Sequence, residues 1–136
     1  MKIALRLFIS LAVLLAALFA LQMYASERGE VVVLTTQDAA GLPKTTRIWV
    51  VDYQQHAWLR AGSPSAGWAK RLITTPTIKV QRGNQTQTFT AVPVPDARAP
   101  VNALFADKYG WSDDLVGMMV DHGKSLPIRL DPIAAP

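Results

Sequence analysis

The sequence predicts a mainly β domain with a few short helices, an α+β arrangement closed as a small six-stranded barrel behind one apolar N-terminal helix. Three observations carry this. Short β-branched runs alternate with turn residues from residue 30 to residue 94. Helical patterning is confined to brief segments around residues 66–75, 96–109 and 112–121. Residues 7–21 contain a single polar side chain, Ser10. The resulting order is β-β-β-α-β-β-α-α-β, and short strands with tight turns and few helices favour a barrel.

The N-terminal segment is set apart from the rest. Lys2 and Arg6 precede the apolar run, and Tyr24 follows it. Residues 3–24 supply the roughly 20 apolar positions a membrane span needs, provided Arg6 snorkels. A secretory signal shares this basic start and apolar core. Cleavage wants small residues one and three positions before the cut, whereas a cut after Ala25 places Met23 there and a cut after Ala20 places Leu18. The expectation is therefore an uncleaved single-pass anchor in residues 1–25 and a globular domain in residues 26–136. Lys2 and Arg6 put the N-terminus in the cytoplasm and the domain outside a bacterial inner membrane. A secreted domain released by cleavage is the alternative.

Residues 26–29 read as a polar linker and residues 30–36, EVVVLTT, as a buried strand. Asp38, Gly41 and Pro43 mark a turn. Residues 44–52 form a second strand, with Lys44, Thr46, Ile48 and Val50 on one face and Thr45, Arg47, Trp49 and Val51 on the other. Residues 53–55 turn tightly into a third strand at 56–61. Residues 62–65, GSPS, break it, and Ser65 is placed to cap a helix that stops at Thr75-Pro76. Strands four and five, 77–82 and 85–94, flank a Gly83-Asn84 turn. Asp96 is placed to cap a helix ended by Gly110, and Ser112 a second one closed by His122-Gly123, with Asp113 and Asp114 against its dipole. Residues 125–130 make the last strand, and a Pro-containing tail ends the chain.

Composition narrows the chemistry. The chain has no cysteine, which excludes disulfides, thiolate catalysis and cysteine–zinc sites. Residues 26–136 carry 12 basic and 10 acidic side chains, a balance that gives no footing to nucleic-acid binding. The two histidines, His56 and His122, have no ligand-spaced neighbours, so no metal is expected. A strand end, a small-residue loop with Ser63 and Ser65, and a helix start together form a pattern that accepts anions. Four tryptophans, Trp49, Trp58, Trp68 and Trp111, supply flat faces for core packing or ring stacking. Lys44, Arg47, Lys70 and Arg71 form one positive patch if the second strand and the helix after it are neighbours.

The run VVVLTT, the Gly41 turn, KTTRIWVV and the stretch from Trp58 to Val94, together with Trp68 eight residues before Pro76 and the KYGW of residues 108–111, resembles the split β-barrel flavin and deazaflavin reductases, nearest their nitroreductase-like F420 branch. The resemblance covers residues 30–115. It implies an FMN-binding-like split barrel that holds FMN or F420 in its groove. Carried over position by position, it implicates Lys44, Thr45, Arg47, Gly62, Ser63, Ser65, Trp68 and Lys70 in cofactor contacts. It implies no identified catalytic residue. Residues 37–41, QDAAG, lack the lysine and serine frequent in the F420 branch, and Trp68 stands where the FMN branch often has lysine. The function implied is a membrane-anchored oxidoreductase passing electrons to a small acceptor such as a quinone or nitro compound. The alternative is a non-enzymatic anchored barrel that has lost the flavin and binds another ligand or a partner. Relatives are commonly homodimers.

Overall fold

The computed structural model describes residues 1–26 and 29–133. Residues 27 and 28 of the expected linker and the last three residues of the tail lie outside them. Helix α1, Lys2–Ser26, is apolar and exposed along almost its whole length. Its Lys2–Tyr24 stretch has a mean hydropathy of 2.5 and is long and apolar enough to cross a membrane or to act as a signal sequence. At 1.5 Å per residue it measures about 35 Å, against a hydrocarbon core of about 30 Å.

The domain is a curled antiparallel sheet of seven strands: β1 Val31–Gln37, β2 Pro43–Trp49, β3 Val51–Tyr53, β4 His56–Ala61, β5 Thr77–Arg82, β6 Gln85–Pro93 and β7 Leu126–Pro132. Their order is β2-β1-β5-β6-β7-β4-β3, and every neighbouring pair is antiparallel. The two outermost strands, β2 and β3, are consecutive in the chain. The covalent link through Val50 therefore brings the two ends of the sheet together, giving a split barrel.

This corrects the expected strand count. Residues 44–52 are one strand by pattern but two in the structure, divided at Val50. The cause is Tyr109, whose hydroxyl accepts the Val50 N–H (3.0 Å) and sits 2.9 Å from the Val50 carbonyl and 2.7 Å from that of Glu30. Lys108 donates to the same Val50 carbonyl at 2.8 Å. With both backbone groups engaged by side chains, Val50 leaves the ladder. β2 pairs with β1 on one side of it and β3 with β4 on the other. Burial pushes the Tyr109 phenol up to about 12, so it remains protonated and able to donate.

Alternation explains the core. Val32, Leu34 and Thr36 point inward from β1, which is buried on one face only and not on both as its unbroken apolar run suggested. Ile78 and Val80 on β5, Leu59 on β4 and Ile128 and Leu130 on β7 join them inside the barrel. Helix α2, Gly67–Thr74, closes this core with Ala69 and Leu72, both fully buried. The opposite face of β2 and β3 carries Trp49 and Val51. These pack with Trp58 against Val101, Phe105 and Tyr109 of helix α3, Arg98–Tyr109. The two faces assigned to residues 44–52 thus separate into two cores.

Helix α4, Trp111–Gly117, follows α3 directly, turned by Gly110 at φ +57. A two-residue turn with Gln54 and Gln55 at φ 50 and 66 joins β3 to β4. Three expected caps are not formed. Ser65 bonds Ser63 (2.7 Å), leaving Ala66 at the start of α2. A 3₁₀ turn over Pro95–Ala97 delays α3 to Arg98. Ser112 lies buried within α4, whose cap is Gly110.

One ion cluster ties these parts together. Arg82 at the end of β5 donates to Glu30 (2.9 Å from both Nε and Nη2) and to Asp52 on β3 (2.8 and 2.7 Å). Lys108 of α3 adds a 2.8 Å bond to Glu30. The Arg82 guanidinium, aided by Lys108, holds the Glu30 carboxyl down at about 2. Asp52 is lowered by the same guanidinium. A depressed carboxylate stabilises the fold above its unfolded pKa and loses that contribution as pH falls through the folded one. The cluster is partly exposed, so Glu30's share is about 1 kcal/mol after screening. The melting temperature should therefore fall as pH drops from 5 to 3, and thermal scans of Glu30→Gln should show a shallower fall from a lower starting point.

Candidate functional site

One cavity of about 220 Å³ opens between the sheet and the helices. Trp49 and Arg47 reach it from β2 and Arg60 from β4. Gly62 and Trp68 come from the loop after β4 and from α2, Phe105 from α3, and Val116, Val120 and His122 from α4 and the turn beyond it. Two indoles, a phenyl ring, two guanidinium groups and an imidazole thus share one space. Trp49 is fixed by stacking on Tyr109, centroids 4.3 Å apart and planes within 8°. A Cβ at residue 62 would meet Val120 Cγ1 at 3.0 Å, so glycine lets the 118–122 segment close against the barrel.

Arg60 organises the floor. Its guanidinium pairs with the Asp113 carboxylate of α4, and both side chains are buried. It lies over the Phe105 ring, 4.3 Å from the centroid. Its other amino group donates to Asn102 Oδ1 at 3.3 Å. Asn102 in turn donates to the His122 carbonyl (2.9 Å), which the Ser125 hydroxyl also reaches at 2.7 Å. This network fixes the backbone that carries His122. The His122 imidazole has Nε2 3.7 Å from Asp113 Oδ1, and that nitrogen is buried with no hydrogen-bond partner among the described residues.

The residues singled out from the sequence divide. Arg47, Gly62 and Trp68 line the cavity. Lys44 and Thr45 are exposed further along β2, and Lys44 lies 4.0 Å from Asp38. Ser63 and Ser65 bond each other. Lys70 borders a separate depression with Asp38, Arg71 and Thr74. Arg71 turns inward instead, donating to Thr36 at 2.8 Å. The expected patch of Lys44, Arg47, Lys70 and Arg71 does not gather around one cavity.

Arg60, Phe105, His122 and Asp113 were not singled out as ligand-site residues. Arg60 had one signal, a charge between Leu59 and Ala61 in a strand of otherwise apolar inward positions. Its partner lies 53 residues away and becomes visible only in the fold. Among the described residues no group of His, Asp or Glu is arranged to hold a metal ion.

The residues present fit one end of a flavin or deazaflavin. The Trp49 and Trp68 indoles with the Arg47 guanidinium on the same lining suit a flat, electron-poor ring, while Arg60 covers a face of Phe105. The phosphate end has no matching cradle, because the two loop hydroxyls satisfy each other and both lysines stand outside the cavity. At about 220 Å³ the space is also below the 300–1,000 Å³ of sites that enclose a whole cofactor.

No protein-family model and no curated protein matches the chain. Solved structures do match, at the level of the fold. The heme storage protein HutZ of Vibrio cholerae superposes with a TM-score of 0.60 at 18% identity, over 83% of this chain and 88% of its own. An F420-H2 dependent reductase gives 0.58 at 21% identity, over 73% and 92%. A pyridoxamine 5′-phosphate oxidase-like protein of Listeria innocua gives 0.57 at 11% identity, over 82% and 90%.

Breaking the Arg60–Asp113 pair leaves a buried charge alone. Asp113→Ala should lower the unfolding free energy by about 3 kcal/mol. Asp114→Ala, at the exposed neighbour, should change it by less than about 0.5 kcal/mol in the same denaturant titration. The chain has the split-barrel fold of these structures.

Proposed function

We propose that the protein is a membrane-anchored split barrel whose groove takes the planar ring of a flavin or deazaflavin, and that it passes electrons to a small acceptor dissolved in the membrane, such as a quinone. The observation that carries this is the meeting of Trp49, Trp68 and Phe105 with Arg47 and Arg60 around one cavity. The F420-dependent reductase among the structural neighbours supports the choice of ring. The bound group would supply the redox chemistry. This chain's part is to stack the ring against indoles and to offset its negative charge with guanidinium groups.

A second reading has its own support. The dispersed phosphate residues and the small cavity favour a barrel that has lost the nucleotide and binds a smaller planar anion without redox chemistry. The two readings separate in one titration of the full-length protein in detergent, followed by ligand fluorescence. The first predicts FMN or F420 binding with Kd below about 100 µM, near −5.5 kcal/mol. Riboflavin, which has no phosphate, should bind within a few fold of FMN because the phosphate finds no cradle. Absence of binding by all three would refute the flavin reading.

Variants add a positional check. Trp68→Ala removes a stacking face and should weaken binding about tenfold, near 1.4 kcal/mol. Lys70→Ala, outside the cavity, should leave Kd unchanged.

A further inference from the structure

The short helix α4 has two faces. Its inner face carries Ser112 and Asp113, both buried, and Val116, which lines the groove. Its outer face carries Trp111, the half-buried Leu115 and the exposed carboxylate of Asp114, and Met118 and Met119 follow in the turn that continues it. Trp111 is 43% exposed, Met118 83% and Met119 61%. These are large apolar side chains left in contact with solvent on one short segment, where single exposed residues are the usual pattern.

What covers them is indicated by α1. The two helices are in contact, and the Tyr24 ring at the end of the apolar stretch stacks with Trp111, centroids 6.4 Å apart. The exposed face of α4 thus continues the apolar surface of α1 at the level of Tyr24. The tether is short. From Ser26 to Val31 there are five residue steps, a reach of at most about 18 Å, so with α1 in a bilayer the domain stays at its surface. Tyr and Trp side by side at the end of an apolar helix belong to the interfacial layer, where an amphipathic ring has one wet edge. Methionine suits the same place, being apolar and adaptable.

We infer that the outer face of α4 and the Met118–Met119 turn rest in the interfacial layer of the bilayer, so that the wall of the groove is also a membrane-contact surface. This rests on the reading of α1 as a membrane span. It deepens the proposed function by making the lipid surface a partner of the same segment that closes the site. Val116 and Val120 face the groove while Met118 and Met119, between them in the chain, face lipid. Gly117 lets the turn fold tightly, since a Cβ there would meet the His122 ring at 3.0 Å.

The absence of native cysteine makes the test clean. Single cysteines at Leu11, Met118, Met119 and Ala40 in the full chain, reconstituted in phosphatidylcholine–phosphatidylglycerol vesicles, are spin-labelled and probed for collisions with oxygen and with a water-soluble nickel chelate. Leu11 reports on α1. Ala40 lies beyond the far end of β1, about 20 Å along the strand from Val31, and serves as the aqueous reference. The expected result is loss of nickel collisions and gain of oxygen collisions at Leu11, Met118 and Met119, with Ala40 open to nickel. Leu11 in lipid with Met118 and Met119 as open to nickel as Ala40 would overturn the inference and leave the anchor standing. Leu11 open to nickel would remove the anchor reading and the inference with it. Dipolar broadening between labels at Met118 would show a second copy covering the patch and would also overturn it.

Discussion

The site depends on a single buried contact, the pairing of Arg60 with Asp113. Arg60 stands in a strand whose neighbours Leu59 and Ala61 are buried, where an unpaired guanidinium would be strongly destabilising. The Arg60 guanidinium is satisfied by three side chains from two helices: the Asp113 carboxylate of α4, and the Phe105 ring and Asn102 amide of α3. A buried ion pair adds little net stability over apolar residues of the same volume. Its effect here is on position. It holds α4 against β4, which sets Val116 and Val120 as a wall and places His122 beside the cavity. The same contact fixes which face of α4 is left outside.

A second constraint acts at the other end of α3. Tyr109 and Lys108 take both backbone groups of Val50, and Lys108 and Arg82 converge on Glu30 at the start of β1. These bonds bring together Glu30 ahead of β1, the point where the sheet changes partner, and the helix that lines the groove. Trp49 is held flat on Tyr109 by the same arrangement. The barrel's closure and the orientation of one groove aromatic therefore have a common cause. The domain's attachment to α1 is made beside it, through Tyr24 and Trp111.

Much of the fold was legible because strand patterning is local. Alternation over residues 77–82 and the Gly83-Asn84 turn specify β5, β6 and their register without reference to anything distant. The two faces of residues 44–52 were legible for the same reason. The division at Val50 was not, because it is imposed by a tyrosine 59 residues further on. Helix starts were misread where two hydroxyls had a choice of partner, as Ser65 did with Ser63. The site was legible in part. Arg47, Gly62 and Trp68 lie on elements whose neighbours follow from the sequence. Lys44 and Lys70 carry the same charge but fall on surfaces the strand curvature and helix phase turn away. Arg60 and His122 could be placed only by knowing that α4 folds back over β4.

The central claim is that the groove between β2, β4 and the helices is where a planar ligand binds. The four indoles report on it directly, since Trp49 and Trp68 line the cavity while Trp58, whose N–H donates to Tyr53, and Trp111 do not. In a titration of ¹⁵N-labelled protein with FMN or F420, the account predicts that the largest indole N–H shifts occur at Trp49 and Trp68. Shifts confined to Trp58 or Trp111, or none at any indole, would contradict it.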